Sequence, residues 1–472
     1  MSDATTGDWE LVVGLEVHCE LATATKIFCG CPNKFGDEPN TNVCPVCLGL
    51  PGSLPVLNHQ AVELAMRLGL ALGCTVEPSI FHRKNYFYPD MPKDYQVSQY
   101  DQPINVDGFL ELPDGYRVGI ERAHLEEDTG KSTHVGGGGR IHDAGYSLVD
   151  YNRAGVPLVE IVSRPDIHTP EHARAYVNEL RGILLATGAS DAKMEEGSMR
   201  VDANVSVNRP GQPWGTRAEI KNLNSVRSLG RAIEYEMRRQ IDLLESGERI
   251  VQETRHWNEE DGRTNTLRSK EEAMDYRYFP EPDLVPVAPG AEWIGAVRDA
   301  LPVLPAARRT HLAELTGVAP SDVAVIVERD LDVLVLDALA SGGVAARLLV
   351  HADNNLADGA GALDAAAFAS LSKLEADGAL TATQAKSVLA ELVASGGDPA
   401  AIAQSMGFEA MDDSAVEAIV DQLIADNADA FQRFKDGDGK VTGFFVGGVM
   451  KATQGKADGK VVTRILQDRA GR

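Results

Sequence analysis

The stretch Leu11-Val-Val-Gly-Leu-Glu-Val-His-Cys-Glu-Leu21 alternates apolar and polar residues over its second half, and this pattern predicts a half-buried β-strand. Successive side chains of a strand point to opposite faces, so Glu16 and His18 point the same way. A carboxylate and an imidazole on one face can share a divalent metal ion or position a proton. The strand therefore supplies the first element of the fold and the first two candidate site residues.

More strands and two helices are predicted up to about residue 290. One helix has Thr169 as N-cap and Pro170 at its first position, and it ends at Gly188. The other carries apolar residues on one face from about Ser228 to Gly247. The further strands are predicted at Tyr116–Ile120, Tyr146–Asp150, Leu158–Val162 and Val201–Val207. Because strands and helices do not alternate regularly, we predict an α+β domain and not a doubly wound sheet.

The composition changes near Val285-Pro-Val-Ala-Pro-Gly290, after which the sequence is rich in Ala, Leu and Asp and has helical periodicity. A second break lies at Ala394-Ser-Gly-Gly-Asp-Pro399. A chain of 472 residues is also too long for one ordinary core. We therefore predict an α+β domain over residues 1–290, a helical domain over residues 291–400 and a small helical tail over residues 401–472.

The charge of the chain is unevenly distributed. The whole sequence carries −25, with 45 Lys and Arg against 70 Asp and Glu, which argues against nucleic-acid binding by the main body. Between Phe431 and Arg472, nine basic residues stand against four acidic ones, a local balance of +5. Such a basic tail can meet a phosphate backbone, although a solvated helical surface explains the pattern equally well.

The sequence shows no sign of export or of membrane insertion. The N-terminus from Met1 to Trp9 is polar and acidic, and it lacks the basic and apolar regions of a signal peptide. No uninterrupted apolar run approaches the length that spans a bilayer. We therefore predict a cytoplasmic protein that makes no membrane contact.

Further carboxylates are placed where they can join the first two candidates. Glu126 and Glu127 lie in a polar segment, and Glu160 lies inside an apolar run. A Glu in such a run is seldom buried without a partner, because desolvating its charge is costly. Glu160 is therefore either a ligand of a metal or substrate, or a strand-edge residue paired with Arg153 or Arg164.

Carboxylates with few thiols around them favour magnesium over zinc, and magnesium commonly accompanies the phosphates of ATP. The segment Asp128-Thr-Gly-Lys-Ser-Thr133 ends like a phosphate-binding loop, but Leu125 stands where that motif needs its first glycine. An ATP site in this chain is therefore expected to be built without such a loop.

Four cysteines form two close pairs, Cys29 with Cys31 and Cys44 with Cys47. In a cytosolic chain this clustering favours metal ligands over disulfides. The twelve intervening residues suit tetrahedral zinc held by four thiolates, and a site closed by four protein ligands is structural. We predict a zinc knuckle over residues 29–47, with free thiols in a loop as the alternative.

Two segments, Lys84–Tyr95 and Asp275–Asp283, combine aromatic, charged and proline residues at high density. This density is typical of a functional loop that is held in one position. A buried aromatic corner with peripheral charges is the alternative, and the sequence leaves both interpretations open.

Nine of the longer sequence motifs follow one another along the chain in the order found in one protein family. They are Gly14–His18, Arg83–Asp90, Tyr95–Gln99, His124–Asp128, Asn152–Val162, Met194–Asn204, Lys221–Ser225, Asp275–Asp283 and Gly443–Thr453. The set covers essentially the whole chain and resembles the B subunits of the aspartyl/glutamyl-tRNA(Asn/Gln) amidotransferases.

This resemblance implies a glutamine-synthetase-like α+β cradle, followed by an all-α helical domain and a small helical tail that meets tRNA. It also implies a glutamine-hydrolysing carbon–nitrogen ligase that acts on Glu or Asp misacylated onto tRNA-Gln or tRNA-Asn. In the family's reaction, ATP phosphorylates the side-chain carboxylate, and ammonia released from glutamine displaces the phosphate. The implied partners are the glutaminase, which is the family's A subunit, and the small C subunit, which together complete a heterotrimer.

The resemblance also assigns roles to individual residues. It places magnesium on Glu16, His18, Glu127 and Glu160. It puts Lys84 and Lys93 near the path by which ammonia enters. It matches the four cysteines to the family's zinc knuckle, which some members lack, so zinc is not expected to take part in the chemistry.

Two other functions fit parts of the chain. A free-standing ATP-dependent ligase of a small carboxylate would need only the first domain, but the long helical arm argues against it. A non-catalytic tRNA-binding scaffold would need only the arm, but the complete carboxylate set argues against that. No glutaminase nucleophile set is evident in the sequence, which agrees with glutamine hydrolysis by a partner.

Overall fold

The structure is a computed structural model that describes residues 8–136, 144–269, 276–408, 413–435, 438–453, 457 and 459–471. The chain divides into two compact units, Met1–Ala307 and Arg308–Arg472. The first unit contains a large sheet with helices packed on it. The described part of the second unit consists of helices and connecting turns, without strands.

The sheet of the first unit has β1 near its centre. The strands are β1 (Glu10–Glu20), β2 (Thr75–Val76), β3 (Ile80–Asn85), β4 (Tyr95–Gln102), β5 (Asn105–Glu111), β6 (Arg117–Glu127), β7 (Lys131–Val135), β8 (Tyr146–Asp150), β9 (Pro157–Ser163), β10 (Met199–Asn208), β11 (Ala218–Leu223), β12 (Glu253–Asn258), β13 (Arg263–Ser269) and β14 (Phe279–Pro280). Their order is β13-β12-β11-β10-β1-β9-β6-β4-β3-β14, with β5 beside β6 and β2 beside β5. Strands β7 and β8 form a separate hairpin.

Helices of the first unit cover one face of this sheet. They are α1 (His59–Ala71), α2 (Pro170–Ala186), α3 (Val226–Glu245) and α4 (Ala291–Asp299). Side chains of Asn58, Thr169 and Ser225 accept hydrogen bonds from backbone N–H groups in the first turns of α1, α2 and α3, respectively. The two helices predicted from the sequence are thereby confirmed as α2 and α3. Helix α4 packs against α1, so the compact first unit continues past residue 290.

The two faces of β1 differ in character. Leu15, Val17 and Cys19 are buried in the hydrophobic core beneath the helices. Glu16 and His18 alternate with them and point to the other side of the sheet. We call the side that carries Glu16 and His18 the open face, and the side that packs on the helices the core face. The predicted strand and its two-faced character are confirmed.

The second unit is built from short helices around two hydrophobic clusters. The helices are α5 (Pro305–Thr316), α6 (Ala324–Glu328), α7 (Asp332–Ala340), α8 (Ala345–Asn355), α9 (Ala365–Ala376), α10 (Ala382–Ser395), α11 (Pro399–Ser405), α12 (Asp413–Asp426), α13 (Ala428–Lys435), α14 (Lys440–Ala452) and α15 (Gly459–Ala470), with a 3₁₀ helix at Pro320–Val323. One cluster includes Phe368 and Leu348, and the other includes Phe431 and Phe445. Among the described helices of the chain, none combines the length and the apolar character that a bilayer crossing needs.

The α+β class of the first unit is confirmed, and so is the helical character of the region that follows. The division into three domains near residues 290 and 400 stays a prediction, as does the likeness of the first domain to a particular cradle fold.

Candidate active site

Strand pairing brings polar side chains from several strands together on the open face. His18 lies directly opposite Glu160 of β9 on one side and opposite Arg200 of β10 on the other. Glu160 in turn lies opposite His124 of β6. Residues directly opposite one another in an antiparallel pair share a face, so one row of polar residues crosses four strands.

Three of these side chains form a compact cluster. Atoms of His18, Glu126 and Glu160 that can bind a metal all lie within 4.8 Å of one another. His18 Nε2 is 3.5 Å from Glu126 Oε1 and 3.9 Å from Glu160 Oε2. We call these three residues the carboxylate cluster. Two carboxylates and one imidazole at these separations suit one divalent cation.

A second histidine borders the carboxylate cluster. His124 Nε2 lies 3.2 Å from Glu160 Oε2, and the side chain is completely buried. Neither ring nitrogen of His124 has a hydrogen-bond partner of good geometry. Buried polar atoms without such partners are rare in native proteins and point to a bound group at the site. The surroundings of His124 therefore fit a site that takes up a ligand or metal ion.

The two glutamates of the cluster have different electrostatic surroundings. Burial raises the pKa of the Glu126 carboxyl, and the neighbouring Glu160 raises it further. Burial also acts to raise the pKa of Glu160, but the adjacent His124 and His18 outweigh it and hold the pKa below its usual value. Like charges in close contact are poorly tolerated without a cation, so the cluster is prepared for one.

The alternative pairing considered for Glu160 does not occur. Arg164 Nη2 lies 2.6 Å from Asp107 Oδ1, and Arg153 Nε lies 3.4 Å from Asp128 Oδ2. The charge of Glu160 is met by histidines of its own sheet.

Glu16 lies on the open face of β1, two residues before His18. Its Oε1 accepts a hydrogen bond of 2.9 Å from Asn204 Nδ2 of β10. Burial raises the pKa of the Glu16 carboxyl, and Glu160 adds to the effect. Glu16 therefore borders the carboxylate cluster without belonging to the group of three that lies within 4.8 Å.

Glu127, which was expected in the metal set, lies on the core face. Adjacent residues of a strand point to opposite faces, so Glu126 and Glu127 lie on different sides of the sheet. Because His124 is paired with Glu160, and Glu126 with Leu158, it is Glu126 that points toward the carboxylate cluster. Glu127 Oε1 instead accepts hydrogen bonds from Lys93 Nζ at 2.5 Å and from the Val97 N–H at 2.9 Å. In this geometry Glu126 joins the carboxylate cluster and Glu127 does not, and the expectation that Glu127 binds the metal stays a prediction.

The two lysines expected along one path lie on different sides of the sheet. Lys93 pairs with the core-face residue Glu127, and its ammonium group also lies 5.6 Å from the centre of the Phe28 ring. Lys84 lies on β3 opposite Gln96 and points to the open face, 4.7 Å from the centre of the Tyr276 ring. The structure thus does not bring Lys84 and Lys93 together.

The cysteine cluster is compact. Cys47 Sγ lies 3.4 Å from Cys29 Sγ, 3.6 Å from Cys44 Sγ and 3.7 Å from Cys31 Sγ. Tetrahedral zinc with Zn–S bonds of about 2.3 Å requires S–S separations of roughly 3.8 Å. The four thiols therefore fit such an ion, and the described residues place them in a loop that joins β1 to α1.

Lys26 supports the cysteine cluster from the interior. Its side chain is completely buried, and its Nζ lies 3.6 Å from Cys47 Sγ and 3.1 Å from the Tyr151 carbonyl oxygen. A hydrogen bond from Cys29, together with the positive charge of Lys26, lowers the pKa of the Cys47 thiol to about 4. A thiolate at this position is the form that binds a metal.

The knuckle loop packs directly against the Lys93–Glu127 pair. Gly49 has φ of +62°, and a Cβ added there would lie 2.5 Å from Lys93 Cγ. Only glycine combines this left-handed conformation with so close an approach. The cysteine loop therefore stabilises the position of Lys93 as well as its own fold.

Sequence reasoning did not single out His124 or Asn204 as site residues. His124 and Glu126 are separated by one residue, the same spacing as Glu16 and His18, and this repeated pattern could have been found by extending the predicted strand at Tyr116–Ile120. The strand in fact continues to Glu127. The role of Asn204 depends on pairing between β1 and β10, which are far apart in the sequence.

Comparisons with known proteins match both parts of the chain. Residues 11–295 match the family model of the GatB/GatE catalytic domain, and residues 346–469 match the model of the GatB domain. The B subunits of the aspartyl/glutamyl-tRNA(Asn/Gln) amidotransferases of Salinispora tropica and Nocardia farcinica are each 50% identical to this chain. The alignments cover 99% and 97% of this chain, and 98% and 95% of those proteins.

The corresponding protein of Moorella thermoacetica is 48% identical over 98% of this chain and 100% of its own length. Identity at this level over nearly complete chains requires a shared fold and shared core. The chain therefore belongs to the family of B subunits of the aspartyl/glutamyl-tRNA(Asn/Gln) amidotransferases.

Proposed function

We propose that this chain activates the side-chain carboxylate of Glu or Asp, misacylated onto tRNA-Gln or tRNA-Asn, by phosphorylation from ATP and then converts it to the amide with ammonia. The observation that carries the proposal is the carboxylate cluster on the open face, in a chain that belongs to this amidotransferase family. The products would be Gln-tRNA-Gln and Asn-tRNA-Asn.

The chemistry explains why a charged cluster is needed. A carboxylate is a poor electrophile, and transfer of a phosphoryl group to one of its oxygens supplies a leaving group. Attack by ammonia then forms the carbon–nitrogen bond and releases phosphate. Because attacking and transferred groups are both anionic, the main requirement on the protein is neutralisation of charge and alignment of the reactants.

His18, Glu126 and Glu160 would hold magnesium, with Glu16 at its border. When bound, magnesium supplies charge neutralisation for the phosphoryl group. His124 Nε2 borders the Glu160 carboxylate at 3.2 Å and would hold it in one orientation once the ion is bound. Asn204 does the same for Glu16 through its hydrogen bond. The expected set of four thus becomes His18, Glu126 and Glu160, with Glu16 adjacent.

Cys29, Cys31, Cys44 and Cys47 would hold a structural zinc ion. Their mutual separations fit a four-thiolate site. Such an ion stabilises a loop that has little apolar surface of its own. The chain's own contribution is the buried Lys26, which offsets the negative charge of the thiolates.

We propose that glutamine is hydrolysed by a partner, the glutaminase of the family's A-subunit type, in a heterotrimer with the small C subunit. An acyl phosphate in contact with water would hydrolyse, so ammonia needs a route shielded from solvent. Lys93, which forms a buried ion pair with Glu127, is the better candidate for that route, since Lys84 lies on the open face.

The helical tail over residues 401–472 is proposed to meet tRNA, and the whole protein to act in the cytoplasm.

The test measures ATP hydrolysis by the full chain with its partner subunits, with misacylated tRNA, with correctly acylated tRNA and with free glutamate. We expect ATP turnover only with misacylated tRNA. Equal turnover with free glutamate would instead indicate a ligase of small carboxylates. Tight binding of tRNA without any ATP turnover would indicate a non-catalytic scaffold, and either result would overturn the proposal.

A further inference from the structure

Three tyrosines form an aromatic surface at the end of the open face. Tyr100 of β4 stacks on Tyr278 with ring centres 5.2 Å apart and an angle of 17° between the planes. Tyr276 meets Tyr278 edge to face at 6.1 Å. Two of the three remain exposed, with 46% of Tyr100 and 36% of Tyr278 accessible to solvent. We call these three residues the tyrosine platform.

Two cations border the tyrosine platform. The Arg122 guanidinium lies 4.8 Å from the centre of the Tyr100 ring, and Lys84 Nζ lies 4.7 Å from that of Tyr276. Arg122 also pairs with Glu121, which holds its side chain in place. Aromatic rings interleaved with Arg and Lys are the combination that binds unpaired nucleotides, since the rings stack on bases and the cations meet phosphates.

The platform lies directly beside the carboxylate cluster. Tyr100 contacts His124 edge to face, with ring centres 6.3 Å apart, and His124 contacts Glu160. Ser98, two residues before Tyr100, is paired with Glu126. A group that stacks on the platform is therefore placed within one or two side chains of the proposed reaction site.

We propose that the tyrosine platform binds the unpaired 3′-terminal base of the RNA substrate. The inference rests on the proposed function and adds to it the residues that position the substrate's reacting end. Burying a tyrosine face against a base removes apolar surface from water and adds stacking, without selecting a sequence.

The terminal base of the RNA and the adenine of ATP reach about equally far, because each is joined to its reacting group through a ribose and a short chain. The exposure of Tyr100 and Tyr278 favours the RNA end, since an unpaired base can reach these rings from solvent while the strand it ends continues past Arg122 and Lys84. Binding of an ATP analogue therefore distinguishes the two ligands.

The experiment uses the full chain and a fluorescently labelled RNA minihelix that ends in CCA, together with the same minihelix lacking its terminal nucleotide. Binding is measured by fluorescence anisotropy at one fixed salt concentration. For Tyr100→Ala and Tyr278→Ala we expect the affinity for the complete minihelix to fall about 10-fold. The affinity for the shortened minihelix is expected to stay unchanged.

Control variants separate stacking from folding. Tyr100→Phe keeps the ring and is expected to keep the affinity for the complete minihelix. Phe109→Ala removes another exposed ring that lies 4.7 Å from an arginine, Arg117, and is expected to change neither affinity. Tryptophan fluorescence during urea unfolding checks that each variant is folded.

Two results would overturn the inference. The first is an equal loss of affinity, or none, for both minihelices in Tyr100→Ala and Tyr278→Ala. The second is weaker binding of a non-hydrolysable ATP analogue with unchanged RNA binding, which would assign the platform to the adenine of ATP. Failure of the proposed function would be seen separately, as the absence of ATP turnover with misacylated tRNA in the unaltered protein.

Discussion

Glu126→Gln and Glu127→Gln change adjacent residues, yet the structure predicts opposite effects on the stability of the first unit. Glu126 faces another carboxylate, Glu160, whereas Glu127 faces a cation, Lys93. Both glutamates are buried. Replacing Glu126 therefore removes repulsion, and replacing Glu127 removes attraction and leaves the charge of Lys93 without its partner.

The magnitudes follow from the separations. With an effective dielectric constant of about 20, two unit charges at the 4.8 Å limit of the cluster repel by about 3 kcal/mol. The raised pKa of Glu126 means that protonation already relieves part of this repulsion, so we expect Glu126→Gln to raise the free energy of unfolding by about 1 kcal/mol. Removing one partner of a buried ion pair costs about 3 kcal/mol. We therefore expect Glu127→Gln to lower the free energy of unfolding by about that amount.

Urea unfolding followed by tryptophan fluorescence is the matching assay, in a buffer without magnesium. The four tryptophans, at positions 9, 214, 257 and 293, all lie in the first unit, so the signal does not report on the second. The control is Glu127→Gln combined with Lys93→Met, which removes both charges and should recover most of the stability. Destabilisation by both single changes to the same extent would refute the assignment of the two glutamates to different faces.

Three further results are expected. Cys44→Ser should release the metal from the knuckle and lower the midpoint of urea unfolding of the first unit, measured together with the zinc content; full zinc occupancy in this variant would contradict a four-cysteine site. Lys26→Met should weaken zinc binding by roughly 10-fold in competition with a chelator, because the cation beside Cys47 is lost; unchanged affinity would show that Lys26 only fills space. Arg83→Met should lower the free energy of unfolding of the first unit by about 3 kcal/mol, because it leaves the charge of the buried Glu281 without its cation. A loss below about 1 kcal/mol, which is typical of an exposed ion pair, would contradict a buried pair.

Features that depend on local spacing could be predicted from the sequence. The alternation of apolar and polar residues around Glu16 and His18 predicts that both side chains lie on one face of a strand. The spacing of the four cysteines predicts that their thiols lie close together. Helix α2 was predictable because its cap, Thr169, and its apolar period both lie within the segment itself. In each case the physical cause acts over a few residues.

Features that depend on strand register could not be predicted in the same way. The choice between Glu126 and Glu127 requires knowing that β6 continues to Glu127 and that His124 lies opposite Glu160. A shift of one residue in that pairing would exchange the two faces. The sequence contains both glutamates side by side, and only the pairing of β6 with β9 separates their roles.

The tyrosine platform could be predicted only in part, because it combines recognisable aromatic segments with a contact between distant residues. The two aromatic segments were recognised, but Tyr100 lay outside both, and its stacking on Tyr278 joins residues far apart in the chain. Asp275, at the start of the second segment, lies outside the described residues. The interpretation of these segments as a buried corner is less suitable than that of a functional surface, because Phe87, Tyr88 and Tyr278 are exposed.

The proposed function requires that the side-chain carboxylate be phosphorylated at the carboxylate cluster before ammonia attacks it. The most direct test labels both side-chain carboxylate oxygens of glutamate with oxygen-18, esterifies it to tRNA-Gln and supplies ATP and glutamine to the full enzyme. We expect one labelled oxygen in inorganic phosphate for each amide formed, and we expect Glu126→Gln to abolish both products together. Amide formation with unlabelled phosphate would rule out an acyl phosphate intermediate.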